Sequence, residues 1–450
     1  MKPARMWSIA ATGFLIFTAT STISAGDWPQ WRGPNRDAKV SGFTAPSVWP
    51  KALTKKWSVS VGAGVATPAL VGDKIYVYTR QGSDDVLRCL DAATGKDIWK
   101  ETLATDIART PGGTDFEGPR SSPAVGDGKV VALNARGVLS CYDAASGKLA
   151  WRKDDIKGYW PGFFAASSPL IAKGVCIAQV GGKKEGRGAT DGALIAYDLA
   201  TGAEKWKWLG GSPAYASPAL MTVGDATLVI AETDSEVVAI NAADGKLAWE
   251  APCKTRYNAS SPVIDGQVLA YEGGNPGEKA VRIEKKGDKF VAEDLWTNSA
   301  STVIYNSPVV ANGLLYGLTT GSQFFCVDLK TGKTAWTAPS PGVPAAPPTA
   351  APAGGAEKGG GKGGGKGGPG GKGGGRGGMG GGYGSIVDAG SVLFALTTKS
   401  ELVAFEPSSK EYKQVGSYKV SDGKTYAYPI VSGNRIYIKD DNSVTLWTLD

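Results

Sequence analysis

Cys89-Leu90-Asp91-Ala92-Ala93-Thr94-Gly95-Lys96-Asp97-Ile98-Trp99 decides the fold, because its pattern returns along the chain. The pattern is a small residue, any residue, Asp, two positions, Thr or Ser, Gly, three positions, Trp. It recurs at Cys141-Tyr142-Asp143 to Trp151, Ala196-Tyr197-Asp198 to Trp206, Ala239-Ile240-Asn241 to Trp249 and Cys326-Val327-Asp328 to Trp336. The residues ahead of each Asp suit a β-strand. The Asp carboxylate and the Thr or Ser hydroxyl can bond the turn backbone, and Gly supplies the positive φ. Each copy is therefore a hairpin signal. Its Trp offers a large ring to bury between neighbouring repeats.

A second pattern opens each unit. Ser-Pro, then apolar residues and a Gly-containing turn, occurs at Pro123, Pro169, Pro218, Pro262 and Pro308, with Thr67-Pro68 and Tyr428-Pro429 as variants. Proline is tolerated at a strand start, where no ladder donor is needed. From Pro68 to Pro308 the steps are 55, 46, 49, 44 and 46 residues. Four short strands fit each step, the period of propeller blades. A further unit opens near Ile386, and the degenerate unit at Pro262 still ends at Trp296. The expected fold is all-β, an eight-bladed β-propeller with four-stranded blades. Its last blade lacks an outer strand, and Lys56–Val61, with Trp57 in the tryptophan position, has that strand's form. Closure by the N-terminal strand is expected, removing an open edge. Trp57, Trp99, Trp151, Trp206, Trp249, Trp296 and Trp336 are the expected docking tryptophans.

Around the repeats, residues 1–25 read as a signal peptide: Lys2 and Arg5, an apolar run from Trp7 to Thr20, then small residues up to Ala25. Residues 26–55 form a leader, and 56–450 the propeller. A Gly/Lys-rich insertion over 339–383 is expected to be disordered, since it has no apolar surface to bury. The formal charge of +7 is local: Lys2 and Arg5 account for two, and the insertion's four lysines and Arg376, against Glu357, for four more. The remainder is near neutral, so no specific nucleic-acid surface is indicated. No later stretch is apolar enough for a membrane helix. Of the five cysteines, Cys89, Cys141 and Cys326 share a repeat slot with Ala196 and Ala239, so they read as small buried hydrophobes. Cys176 and Cys253 are left open.

The Gly-x-x-x-Trp endings resemble the tryptophan-docking motif of the pyrroloquinoline-quinone (PQQ) propeller family. Trp28-Pro29-Gln30-Trp31-Arg32-Gly33-Pro34-Asn35-Arg36 resembles the leader of exported PQQ-like repeat proteins. The resemblance runs over roughly residues 57–450, insertion excepted, and implies two kinds of relative. Some are quinone-dependent dehydrogenases; others are cofactor-free scaffolds, such as the propeller lipoprotein of the outer-membrane barrel assembly machinery. Fold alone does not choose between them. The dehydrogenases share adjacent cysteines, a calcium site and a catalytic carboxylate. This chain has no adjacent cysteines, no histidine and no Glu-Asn-Asp set on a matching motif. No catalytic residue, metal ligand or cofactor is therefore assigned; PQQ with calcium stays an alternative without residues to support it.

The loops that lead into the first strand of each blade stand at a mouth of the central channel. Three residues before the opening proline are Arg120, Tyr215, Tyr305 and Tyr426; five before it are Phe164 and Tyr257. Asn258, Asn306 and Trp160 are close by. Together they form a candidate aromatic, polar-edged binding pocket. The expected function is an exported, periplasmic or secreted, non-catalytic scaffold or ligand-binding module. Its expected partners are other exported or outer-membrane proteins, with an acidic polymer possible at the Gly/Lys insertion. The alternatives are a PQQ-dependent oxidoreductase and a carbohydrate- or polymer-binding module.

Overall fold

A computed structural model describes residues 26–105, 118–155, 159–184, 187–253, 255, 257–273, 277–341 and 382–450. The signal-peptide reading of 1–25 and most of the Gly/Lys insertion lie outside the described residues. At the insertion's margins, Pro339 ends a strand and Tyr383 precedes the next, which begins at Gly384.

The described residues form strands and no helix, in eight antiparallel sheets. Blade 1 opens with Ala69–Val71, blade 2 with Ala124–Gly126, blade 3 with Leu170–Ala172 and blade 4 with Ala219–Val223. Blades 5 to 8 open with Val263–Asp265, Val309–Ala311, Gly384–Asp388 and Ile430–Ser432. Each sheet has four strands in this order from the channel outward, and blade 3 gains Tyr159–Trp160 as a fifth. Thr54–Ser60 pairs with Ser443–Thr448 as the outer strand of blade 8, so the first strand closes the ring as expected.

The repeat pattern now has a physical account. Asp91 Oδ1 accepts from the Thr94 backbone N–H (2.8 Å) and hydroxyl (2.7 Å), and Asp143, Asp198 and Asp328 repeat this with Ser146, Thr201 and Thr331. The small slot faces the tryptophan directly across the strand pair: Cys89 opposite Trp99, Cys141 opposite Trp151, Ala196 opposite Trp206, Cys326 opposite Trp336. Beside that slot the ladder skips one residue, a bulge repeated in seven blades. The rings of Trp99, Trp151, Trp206 and Trp296 then lie on the turn of the following blade. A Cβ at Gly147, Gly202, Gly245 or Gly332 would come within 2.8 Å of Trp99, Trp151, Trp206 or Trp296. The indole N–H of Trp151 donates to the Leu199 carbonyl (2.9 Å), and Trp99, Trp206 and Trp296 make the same bond to Ala144, Ala242 and Leu329. Trp336 reaches the Ser408 carbonyl (2.8 Å). Trp57 lies over Gly95, but its indole nitrogen is buried without a partner. Trp249 is half-buried against the core shared by blades 4 and 5. All five cysteines are buried and free, Cys176 and Cys253 included.

The Ser-Pro pattern serves the channel. The Thr67 N–H donates to Ser122 Oγ, Ser122 to Ser168, Ser168 to Ser217, Ser217 to Ser261 and Ser261 to Ser307, all at 2.8–3.0 Å. Tyr428 N–H donates to Thr67 Oγ1 (2.9 Å), carrying the chain of bonds across the closure. The hydroxyls of Thr67 and of the five serines before the prolines thus tie blade to blade from blade 8 through blade 1 to blade 6.

The leader enters that channel and bonds to the blades around it. Trp28 exchanges two backbone bonds with Leu70, and Val125 N–H donates to the Pro29 carbonyl. Gln30 Oε1 accepts from Ile171 N–H, Trp31 Nε1 donates to Ser261 Oγ, and Arg32 and Arg36 reach the carbonyls of Pro308 and Pro169. Ala38 and Val40 exchange backbone bonds with Asp388. Six of the eight blades are bonded to this one segment.

Candidate functional site

All eight residues three places before a blade opening line one cavity: Val65, Arg120, Ala166, Tyr215, Ala259, Tyr305, Tyr383 and Tyr426. The cavity is about 220 Å³, and mostly apolar surface faces it. Its wall also includes Trp31 of the leader, Ser217, Ser307 and Tyr428, so the leader and the serine ring lie at its base. In blades 3 and 5 the three-before residue is only alanine, and Phe163 and Tyr257 take up the space.

The rings form a continuous arc. Phe163 contacts Tyr215 and Tyr257 (centroids 6.3 and 5.8 Å); Tyr257 stacks on Tyr305 (5.6 Å) and Tyr305 on Tyr383 (4.2 Å, 4° between planes). Tyr383 meets Tyr426 edge-on at 5.4 Å. Beneath them Trp31 meets Tyr428 edge-on at 4.9 Å. Arg120 is the cation of the wall. It donates to the Phe163 carbonyl and lies 5.7 Å from the Phe164 ring, and burial pulls its pKa below the ordinary arginine value. Tyr215 Oη accepts from the Phe163 N–H (3.0 Å), and burial raises its pKa.

Arg120, Tyr215, Tyr257, Tyr305, Asn306 and Tyr426 are thus brought together, whereas Trp160, Phe164 and Asn258 stand behind the wall. Phe164 takes a φ of 73°, which turns its ring inward onto Trp160 (5.6 Å) and leaves Phe163 at the mouth, 41% exposed. Asn258, with φ 47°, is a clamp: its Nδ2 donates to the carbonyls of Thr233 and Cys253 (2.7 Å each), and its Oδ1 accepts from Thr255. Asn306 pins its own loop to Leu318 and Gly382. Positive φ at bulky residues costs energy and clusters at functional loops; here it presents Phe163 and Tyr257. Sequence reasoning missed Phe163, Tyr383, Trp31 and Tyr428. Tyr383 had a signal, three residues before Ile386, but no proline marks that blade.

Among the described residues no carboxylate lines the cavity. Three glutamates lie behind the loops of blades 4 and 5, all buried: Glu232, Glu272 and Glu278. Burial pushes Glu272 up to about 7; burial, with its glutamate neighbours, holds Glu232 and Glu278 well above the usual range. None of the three is on the cavity wall. Among the described residues no group of three or more His, Cys, Asp or Glu is placed to hold a metal ion. A quinone with calcium would need a carboxylate at the ring and at the metal, and the cavity wall supplies neither, so its residues do not fit that group. What the wall can do is enclose an apolar or aromatic group and offer it hydroxyls and one guanidinium.

The family model described as outer membrane protein assembly factor BamB matches residues 36–183 and 83–338. The chain is similar to outer membrane protein assembly factor BamB of Bordetella pertussis, 23% identical over 74% of this chain and 79% of that one. It is also similar to the quinohemoprotein alcohol dehydrogenase of Comamonas testosteroni, 28% identical over 43% of this chain but only 27% of that one. The solved structure of BamB from Moraxella catarrhalis superposes with a TM-score of 0.59 at 12% identity, covering 88% of this chain and 100% of that one. No helix among the described residues is long and apolar enough to cross a membrane.

Proposed function

The chain belongs to the family described as outer membrane protein assembly factor BamB, and from that premise we propose that it is an exported, non-catalytic scaffold that grips a partner protein at the aromatic mouth. The observation that carries this reading is the arc of Phe163, Tyr215, Tyr257, Tyr305, Tyr383 and Tyr426 around one cavity with no carboxylate on its wall among the described residues. Tyrosine-rich, largely apolar concavities are where interface energy concentrates. The partner is an exported or outer-membrane protein that inserts an apolar or aromatic side chain.

The test is site-specific photocrosslinking in the native envelope, with the crosslinker at Phe163 on the mouth or at Leu149 on the perimeter. A discrete adduct from Phe163, absent from Leu149 and lost when Tyr305 and Tyr383 become alanine, is the expected outcome. Each tyrosine is expected to contribute about 2 kcal/mol to binding. Equal adducts from both positions refute a mouth-centred site.

The similarity to quinohemoprotein dehydrogenases supports a second reading, PQQ-dependent oxidation. Titration with PQQ and calcium, followed by tryptophan fluorescence and melting temperature, separates the two. Saturable stabilisation favours the oxidoreductase; its absence at high ligand concentration favours the scaffold.

A further inference from the structure

Two arginines of the leader stand in the channel, and among the described residues no carboxylate pairs with either. Arg32 is 0% exposed; its Nη2 donates to the Pro308 carbonyl (2.5 Å), while Nε and Nη1 are buried without a partner. Arg36 is 4% exposed; it donates to the carbonyls of Pro169 (2.9 Å) and Ser168 (3.1 Å), and its Nε is likewise buried and unpartnered. Both have φ of 60°, as has Ala38, a backbone that side-chain-bearing residues adopt at a cost. The leader is therefore bent against its preference to place two guanidiniums inside. Burial, then the repulsion of Arg32, pulls the Arg36 pKa down to about 9. Buried charge without a counter-charge is strongly unfavourable, and unmade hydrogen bonds add to that.

We propose that the central channel is an oxyanion site, in which the free N–H groups of Arg32 and Arg36 bind a phosphate- or carboxylate-type anion. Arg32 follows Trp31, which lines the mouth cavity, and its bonding partner Pro308 follows Ser307, which lines it too. The proposed route to the anion is by this mouth, past Trp31 and Ser307, since Arg32 and Arg36 are not themselves on the cavity wall. It is either a free inorganic oxyanion or the acidic group of a molecule seated among the tyrosines, and both offer the planar or tetrahedral oxygens that a guanidinium fork matches.

The experiment is thermal unfolding of the full chain in phosphate or benzoate against chloride at equal ionic strength. A specific anion raises the melting temperature saturably at millimolar concentration. Arg32→Met is expected to weaken that response about tenfold or more. It should also melt higher than the parent when anion-free, since it removes an unmatched charge; a purely structural arginine would only lose stability. Stabilisation by phosphate that survives Tyr305→Ala identifies a free oxyanion. Stabilisation by benzoate alone, abolished by Tyr305→Ala, identifies the acidic group of a mouth ligand. Should Arg32→Met fail to fold, crystals of the unmodified protein grown with bromide give the second measurement: an anomalous peak beside Arg32 Nε and Nη1 is expected. No saturable response to either anion, or ordered water alone beside both arginines, overturns the proposal.

Discussion

The perimeter and the channel are made from the same eight sheets, yet they are held by opposite means. On the perimeter one device is copied: a tryptophan faces a small residue across its strand pair and rests on the next blade's glycine turn. In the channel a single unrepeated segment, Asp27 to Val40, bonds to six blades that differ from one another at their mouths. Repetition gives the perimeter redundancy and a stable ring. Irregularity gives the channel a place where the eight equivalent positions can carry Val, Arg, Ala or Tyr and so recognise something.

Four substitutions probe that contrast, and the largest effect belongs on the perimeter. Trp151→Ala removes a buried indole and leaves the Leu199 carbonyl only the long bond from the Cys141 thiol (3.8 Å), and should cost about 3–5 kcal/mol by denaturant unfolding. Trp57→Ala should cost less, because the Trp57 indole nitrogen makes no bond to lose. Equal costs would mean that the hydrogen bond is irrelevant to docking.

A middle-sized effect is expected behind the mouth loops, and it depends on pH. The Glu272 carboxyl has its pKa raised by burial to about 7 in the folded chain, against 4.5 for the ordinary group. Below 4.5 both states hold the proton. As pH rises towards 7 the unfolded chain releases it first, so this residue's share of stability falls through that window. Glu272→Gln should gain on the parent by about 1–2 kcal/mol between pH 4.5 and 8, measured as the difference in unfolding free energy. A difference that does not change with pH contradicts the raised pKa.

The smallest effect is expected at the small slot. Cys326→Ala puts there the residue that blades 3 and 4 already use, and should shift stability by less than about 1 kcal/mol. Reductant should leave melting unchanged, since all five thiols are buried and free. A larger loss would show that the slots are not equivalent.

The perimeter was legible in the sequence because its residues are local and repeated: Asp, Thr, Gly and Trp fall within eleven positions. Even the closing strand could be read, as Trp57 carries the same signature. The mouth was legible only where a proline marked the register, at Arg120, Tyr215, Tyr257, Tyr305, Asn306 and Tyr426. Tyr383 carries no such mark. Phe164 was chosen over Phe163 because the sequence does not reveal a positive φ, which swaps the two rings. The leader's place was hidden for a different reason: its partners lie up to hundreds of residues away, as Trp31 does from Ser261. Asn258 looked like a ligand group and is a backbone clamp, a distinction made only by its four buried bonding directions.

The measurement that bears most directly on this division of labour is the thermal unfolding of the triple variant Tyr257→Ala, Tyr305→Ala, Tyr383→Ala. If the mouth recognises and the perimeter holds, the melting temperature stays within about 3 °C of the parent while the Phe163 crosslink disappears. A fall of more than about 10 °C would contradict the account, since the aromatic arc would then be part of what joins the blades.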